Sequence, residues 1–283
     1  EYAQTEDGGA EAYVHEAGKK PEYEILSPEA LSFYEGQRDK GENIYIDKIS
    51  YEELELMTEL SMQQRFHSQA DEIYPVNFGT FHSICVRILR REITKIGYNS
   101  DFVIFDTSDV RTVIKECIKD LNLDDKVYSD RYLGYEFSKA KNEMITVDRF
   151  ANMYASDIRM STVARAYKLY QSKLVKNNAL DFDDIINNTI KIFEENPDVL
   201  ETYQNKFRYI LVDEYQDTNK AQDRLVTLLG DSHHNIFVVG DDQQSIYKFR
   251  GADITNILNF EKRFQNTKVV KLEQNYRSTD CIL

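Results

Sequence analysis

Three short apolar runs, each closed by a polar cluster, set the pattern of the C-terminal part of the chain. Tyr209-Ile210-Leu211-Val212 ends in Asp213-Glu214-Tyr215-Gln216-Asp217-Thr218. Asn235 to Val239 ends in Gly240-Asp241-Asp242-Gln243-Gln244-Ser245, and Lys268 to Leu272 leads into Glu273-Gln274-Asn275-Tyr276-Arg277-Ser278-Thr279. Continuous apolar runs of this length predict strands buried on both faces, and the stretches between them are long enough for helices. The repetition predicts an α/β doubly wound sheet with its polar clusters gathered along one edge. Upstream the period changes. Thr80 to about Ile96 places Phe81, Ile84, Cys85, Ile88 and Leu89 on one helical face. From about Asn99 to Asn177 the pattern is helical throughout, with Tyr132, Leu133, Phe137, Tyr167, Leu169, Tyr170 and Leu174 as expected core, and a helix over Leu180–Ile192 returns the chain to the sheet. Ile44 to Ile49 alternates like a strand, and Ser50 with Glu53 forms a capping-box pattern opening a helix through about Phe66. Residues 1–43 are polar, without sustained periodicity, and are expected to be partly disordered.

Composition bounds this picture without deciding it. A chain of 283 residues with 41% hydrophobic residues can hold one large or two small domains, and no apolar stretch is long enough to span a bilayer. Cys85, Cys117 and Cys281 lie far apart without metal-ligand spacing, so reduced thiols and a cytoplasmic location are expected. The formal net charge of −14 argues at first against a nucleic-acid partner. Its distribution weakens that argument. Residues 1–75 hold 18 Asp/Glu against 6 Lys/Arg, whereas residues 76–283 hold 31 against 29. The larger part is close to neutral and can present a basic groove. The acidic N-terminal segment suits a basic protein partner, or competition with DNA for such a groove.

The chemistry sits in the polar clusters. An apolar strand that stops at Asp213-Glu214 delivers two carboxylates to the carboxyl end of a sheet. In P-loop nucleotide hydrolases the first acid of such a pair holds Mg²⁺ and the second polarises the attacking water. The other reading of the residues is a strand ending in a solvated acidic turn.

The order and spacing of DEYQDT (213–218), GDDQQSIYKFRGAD (240–253) and LEQNYRST (272–279) resemble consecutive motifs of the superfamily 1 DNA helicases of the UvrD/Rep/PcrA type. Thr80–Arg91 and Leu180–Ile185 match the same family, and the likeness runs from about Val76 to the last residue. The resemblance implies a RecA-like parallel sheet with helices on both faces and an inserted all-helical subdomain. Its expected organisation is an acidic segment over 1–43, a first part of the RecA-like domain over 44–98, the insertion over 99–177, and the remainder over 178–283. The implied activity is ATP hydrolysis coupled to movement on single-stranded DNA and unwinding at duplex junctions. By the same likeness Asp213 holds Mg²⁺, Glu214 acts as general base, Gln244 senses the γ-phosphate, Arg277 contacts it, and Tyr276 packs on adenine. DNA contacts fall to Thr80, His82, Tyr247, Phe249 and Arg250. Aromatics between cations suit single strands, since bases stack on rings while cations follow phosphates.

Three departures qualify the likeness. A phosphate-binding loop has the form GxxxxGK[ST], and the nearest fragment here is Glu16-Ala17-Gly18-Lys19-Lys20, with Tyr13 in place of the first Gly and Lys20 in place of Ser/Thr. Lys19 is thus either the lysine of a degenerate loop or part of a solvated turn. Phe249 stands where the family often has Trp, and the chain has no Trp. The sequence lacks an initiating Met and stops just after QNYRST, where the family's second RecA-like domain begins, so it is expected to be a fragment. Two alternatives to the helicase reading follow: a DNA-binding pseudo-ATPase, and an interaction protein built on a helicase-like scaffold.

Overall fold

The computed structural model describes residues 77–245, 251–264 and 266–271, together with the backbone of three short strands nearer the N-terminus. The chain divides into two compact units, residues 1–86 and 87–283.

In the first unit β1 (Ala3–Gln4), β2 (Ala10–Val14) and β3 (Glu22–Leu26) pair antiparallel in that order, with Tyr13 opposite Tyr23 and Val14 opposite Glu22. These strands lie where the sequence shows no sustained periodicity. Runs as short as two to five residues are too brief for alternation to register, and their pairing partners supply what the pattern lacks. The expected Ile44–Ile49 strand and the helix after Ser50 lie outside the described residues.

Helix α1 (Phe81–Glu92) begins in the first unit, where Thr80 caps it. The Ser83 amide donates to the Thr80 hydroxyl at 3.3 Å, and the Ile84 amide to the Thr80 carbonyl at 3.2 Å. Cys85, Ile88 and Leu89 are buried and Phe81 and Ile84 half-buried, as the helical face requires. In the second unit the last turn of α1 is anchored by Arg90. Its guanidinium donates to the carbonyls of Ser100 and Phe102 at 2.9 and 2.6 Å and lies 3.8 Å from the centre of the Phe102 ring.

The stretch read as helical throughout opens instead with a short strand, β4 (Val103–Ile104), which pairs in parallel with β5 (Ala179–Leu180). Two-residue strands leave no periodic signal and exist only through each other. Between them lie α2 (Thr107–Asp120), α3 (Asp130–Asn142), α4 (Val147–Met153) and α5 (Ile158–Lys176), so the chain leaves and re-enters at neighbouring positions. Each helix is started by a side-chain cap: Asp106, Ser129, Thr146 and Asp157 accept from the amide three residues on. The four helices share a core of Ile114, Leu133, Phe137, Phe150, Val163, Tyr167, Tyr170 and Leu174, with Phe137 stacked on both tyrosines at 5.0 and 5.2 Å.

Helix α6 (Phe182–Glu195) starts two residues later than the apolar pattern suggests, because Leu180 belongs to β5 and Asp181 is the cap, in a reciprocal box with Asp184. Helix α7 (Pro197–Lys206), with Pro at its first position, then leads to β6 (Ile210–Val212). Helix α8 (Lys220–Gly230), opened by an Asn219/Gln222 box, crosses over to β7 (Ile236–Val238), which pairs in parallel with β6 in the register Leu211 to Phe237. Helices α6 and α7 both pack against α8. The strands' inward residues Ile210 and Ile236 approach Gly230 at the end of α8. On the opposite face Leu211 and Phe237 are 72% and 62% exposed. The third expected strand is not formed over residues 268–271, where Val269 and Val270 are exposed; Leu272 lies outside the described residues. A strand is defined by its pairing, and no described strand lies beside this run. Two short helices, α9 (Thr255–Leu258) and α10 (Phe260–Arg263), close the described part. Among the described residues no helix is long and apolar enough to cross a membrane.

Candidate nucleotide site

The carboxyl ends of β6 and β7 lie side by side, and each delivers one polar loop. From β6 come Asp213 and Glu214, both exposed. The Glu214 backbone takes the left-handed conformation at φ 50°, ψ 42°, which is uncommon for a residue with a side chain and turns the chain sharply at the strand end. Its amide donates to Asp213 Oδ1 at 2.9 Å. The next residues, Tyr215–Asp217, form one 3-10 turn. The Tyr215 amide donates across to the Val239 carbonyl at 2.9 Å, joining the two loops at their roots.

Burial around Tyr215 sets the height of this turn. Its ring is fully buried, meets Phe260 edge-on at 5.6 Å, and its hydroxyl donates to Asp223 Oδ1 of α8 at 2.5 Å. Arg263 of α10 grips the same carboxylate with both terminal nitrogens, one of them 2.7 Å from Oδ1. Burial, followed by the hydrogen bond to Asp223 and then its charge, pushes the Tyr215 phenol well above its usual range, so it stays a donor. Thr218 closes the turn. Its hydroxyl donates to the Tyr215 carbonyl at 2.7 Å, and the Asn256 side chain donates to its carbonyl at 3.0 Å.

The loop after β7 carries the second set. Asp241 accepts from the Gln244 side-chain amide at 2.8 Å and from the Gln243 amide at 2.9 Å, and these bonds, the Gln244 one above all, hold its carboxyl below the usual range. Gln216, buried to 1% exposure, bridges the loops. Its amide nitrogen donates to Glu214 Oε2 at 2.8 Å and its amide oxygen accepts from the Asp241 N–H at 3.1 Å. The sequence displays Gln216 inside DEYQDT but carries no sign that both of its ends are engaged. Asp217 is pushed up by burial and by the Glu214 charge, and its Oδ1 is buried without a hydrogen-bond partner.

The sequence candidates fall into three groups. Asp213, Glu214 and Gln244 are brought to one edge. Thr80 and His82 sit at the start of α1 in the first unit, where Thr80 caps the helix. Lys19, Tyr247, Phe249, Arg250, Tyr276 and Arg277 lie outside the described residues. The strands on either side of Lys19 pair with each other antiparallel, as in a hairpin, whereas a phosphate-binding loop joins a strand to a helix. This pairing does not support a phosphate-binding role for Lys19. Oxygen donors of the Asp213 kind fit Mg²⁺, which takes one or two carboxylates and keeps water as its remaining ligands. Among the described residues no three His, Cys, Asp or Glu side chains are placed to hold a metal ion together, which a dedicated all-protein metal cage needs and this mode does not.

The model of the UvrD/REP helicase N-terminal domain matches residues 57–265. The chain belongs to this family. ATP-dependent DNA helicase PcrA of Bacillus subtilis is 53% identical over 214 residues, 76% of this chain and 28% of that protein. PcrA of Staphylococcus aureus is 50% identical over 222 residues, 78% of this chain and 30% of its own length. The chain thus spans less than a third of these relatives.

A second polar cluster joins the four-helix segment to α6. Lys141 of α3, 4% exposed, lies 2.6 Å from Asp181 Oδ2 and 2.7 Å from Asp184 Oδ1, and Tyr170 donates to Asp181 Oδ2 at 2.7 Å. Beside it, Asn142 bonds Asp183 at 3.3 Å and Asn219, the cap of α8, at 2.5 Å. The helical segment is therefore tied to the residues that follow Asp213 and Glu214. Burial, then the Asp181 charge, raises Asp183 from its usual range to about 6. An acid raised in the folded state costs stability as pH climbs from about 4 through 6 and no more above that. Asp183→Asn should therefore stabilise the protein at pH 7 by roughly 1–2 kcal/mol, a value discounted for partial exposure. It should also flatten the pH dependence over that window. Urea unfolding at pH 4 and pH 7 checks both; equal stability of the two proteins at pH 7 would rule the account out.

Proposed function

We propose that this chain carries the nucleotide-hydrolysing face of an ATP-dependent DNA helicase, with ATP and Mg²⁺ as cofactors and single-stranded DNA, entered at duplex junctions, as its track. The observation that carries this reading is the parallel pair β6–β7, whose adjacent carboxyl ends bear Asp213 and Glu214 on one loop and Gln244 on the next. In this reading residues 44–98 and 178–283 make a RecA-like domain with helices on both sheet faces, and residues 99–177 are its insertion.

Each role follows from side-chain chemistry. Asp213, held by the Glu214 amide, offers hard oxygens to the ion, which when bound offsets phosphate charge. Glu214, turned outward by its left-handed backbone, takes the proton of the attacking water. Gln244 both donates and accepts, as reading a γ-phosphate requires. Arg277 supplies a planar cation to charge developing in transfer, and Tyr276 packs on the adenine. Tyr247, Phe249 and Arg250, with Thr80 and His82, contact DNA by stacking and phosphate bonding. Lys19 is the nearest candidate for the lysine of a degenerate phosphate loop, and the antiparallel pairing of β2 with β3 argues against that role. With no phosphate-loop lysine assigned, hydrolysis by this chain should be slow.

The test is binding of a fluorescent ATP analogue with and without Mg²⁺, followed by phosphate release with single-stranded DNA. Mg²⁺-dependent binding that is lost in Asp213→Ala, with slow release abolished by Glu214→Gln, is expected. Binding indifferent to both Mg²⁺ and Asp213 would overturn the assignment. The antiparallel pairing of β2 with β3 favours one second reading, a DNA-binding pseudo-ATPase, in which DNA binds and nucleotide does not.

A further inference from the structure

We propose that Gln216 is a positioning residue that couples Glu214 to the Gln244 loop, so that the arrangement of one loop sets that of the other. The inference rests on the roles proposed above for Glu214 and Gln244. Its geometry does not.

The connection is continuous. Gln244 Nε2 donates to Asp241 Oδ2 at 2.8 Å, the Asp241 amide donates to Gln216 Oε1 at 3.1 Å, and Gln216 Nε2 donates to Glu214 Oε2 at 2.8 Å. A fourth bond, from the Ser245 hydroxyl to the Gln216 carbonyl at 3.4 Å, ties the far end of the same loop to the same residue. A primary amide suits this position. It must donate to a carboxylate at one end and accept from a backbone N–H at the other, which a carboxylate, an ammonium or a thioether cannot do together. The room is also specific. A Cβ at Gly240 would stand 2.6 Å from Gln216 Oε1 and 2.7 Å from Ile257 Cδ1, so glycine at the end of β7 lets the amide reach the loop.

What distinguishes a coupler from a merely satisfied buried glutamine is the two groups it joins. Gln216 is nearly inaccessible, yet it holds an exposed carboxylate in a left-handed turn. Hydrogen bonds to charged groups are stronger than neutral ones, and the two that Gln216 makes are shielded by its own burial. A displacement of Gln244 that pulls Asp241 therefore reorients the Gln216 amide and with it the Glu214 carboxylate. The amide thus gives a base its orientation only when the glutamine loop is in place.

The test uses the whole chain and needs no nucleotide. Backbone amide resonances and hydrogen exchange at Asp241 and Gln244 are recorded for the parent, Glu214→Gln, Gln216→Met and the double variant. Glu214→Gln should shift the Asp241 amide in the parent and leave it unmoved on the Gln216→Met background. Gln216→Met alone should speed exchange at Asp241 about fivefold, the factor that a hydrogen bond of about 1 kcal/mol represents. Gly240→Ala, which keeps the amide but displaces it, should give the same loss of coupling and serves if Gln216→Met fails to fold. A Glu214→Gln shift at Asp241 that persists without Gln216 overturns the inference. Mg²⁺ and an ATP analogue are then added: coupling without nucleotide binding sinks the function proposed above and leaves only the link between the two loops, whereas binding without coupling sinks this inference alone.

Discussion

Lys141→Met should destabilise the protein by about 3–5 kcal/mol, the range expected when one partner of a buried ion cluster is removed. The two carboxylates it faces would keep their burial and lose their counter-charge. Lys141 is held charged because the attraction of Asp181, then Asp184, outweighs the burial that alone would lower its pKa. The same two acids form the capping box of α6, so they cannot move away without uncapping that helix. Gln171 of α5 donates to both oxygens of Asp184 at 3.1 and 3.2 Å and offers no charge in exchange. Chemical denaturation gives the stability, and hydrogen exchange should show α3 and the first turn of α6 loosening together. A loss below about 1 kcal/mol would mean that Lys141 reaches water and behaves as an exposed pair.

Asp223→Ala should cost about 3 kcal/mol, more than Tyr215→Phe at about 1 kcal/mol, because the carboxylate answers both the Tyr215 hydroxyl and the Arg263 guanidinium. Without it, a fully buried phenol and a half-buried cation lose their acceptor together. Arg263 retains one bond, to the Asn256 carbonyl at 3.1 Å, which does not balance its charge. The loss should also be felt at the site. Tyr215 follows Glu214 directly, and its anchoring fixes the turn that points the carboxylate. Thermal and urea unfolding of the two variants decide the order. A larger loss for Tyr215→Phe than for Asp223→Ala would show that the phenol hydroxyl, and not the Asp223–Arg263 pair, holds the turn.

Much of the candidate site was legible in the chain because catalytic loops in parallel sheets follow apolar runs. Asp213 and Glu214 were singled out by the strand that precedes them and Gln244 by the resemblance of its loop, and the structure brings these candidates to one edge. Lys141 was not found. It stands four residues after Phe137 on the buried face of a helix, a register that signals burial but not a partner forty residues on. Gln216 and Asp223 were missed for the same reason, since neither residue type announces what it will bond. The N-terminal strands and β4–β5 were missed because strands of two to five residues hold no countable period. Leu180 was read as helix because one apolar residue at a boundary suits either element, and the cap at Asp181 decides the matter.

The sequence by itself determined α1, the succession of β6 and β7 with a helix between them, the apolar core of the four-helix segment and the loops in which chemistry can occur. Those properties depend on local period, capping residues and turn chemistry, all of which act within a few residues of one another. Tertiary structure alone decided which polar groups meet: Lys141 with Asp181 and Asp184, Tyr215 with Asp223 and Arg263, and Gln216 with Glu214 and Asp241. A buried polar group must find a partner wherever the packing of the fold places one, and that distance through space is not written in distance along the chain.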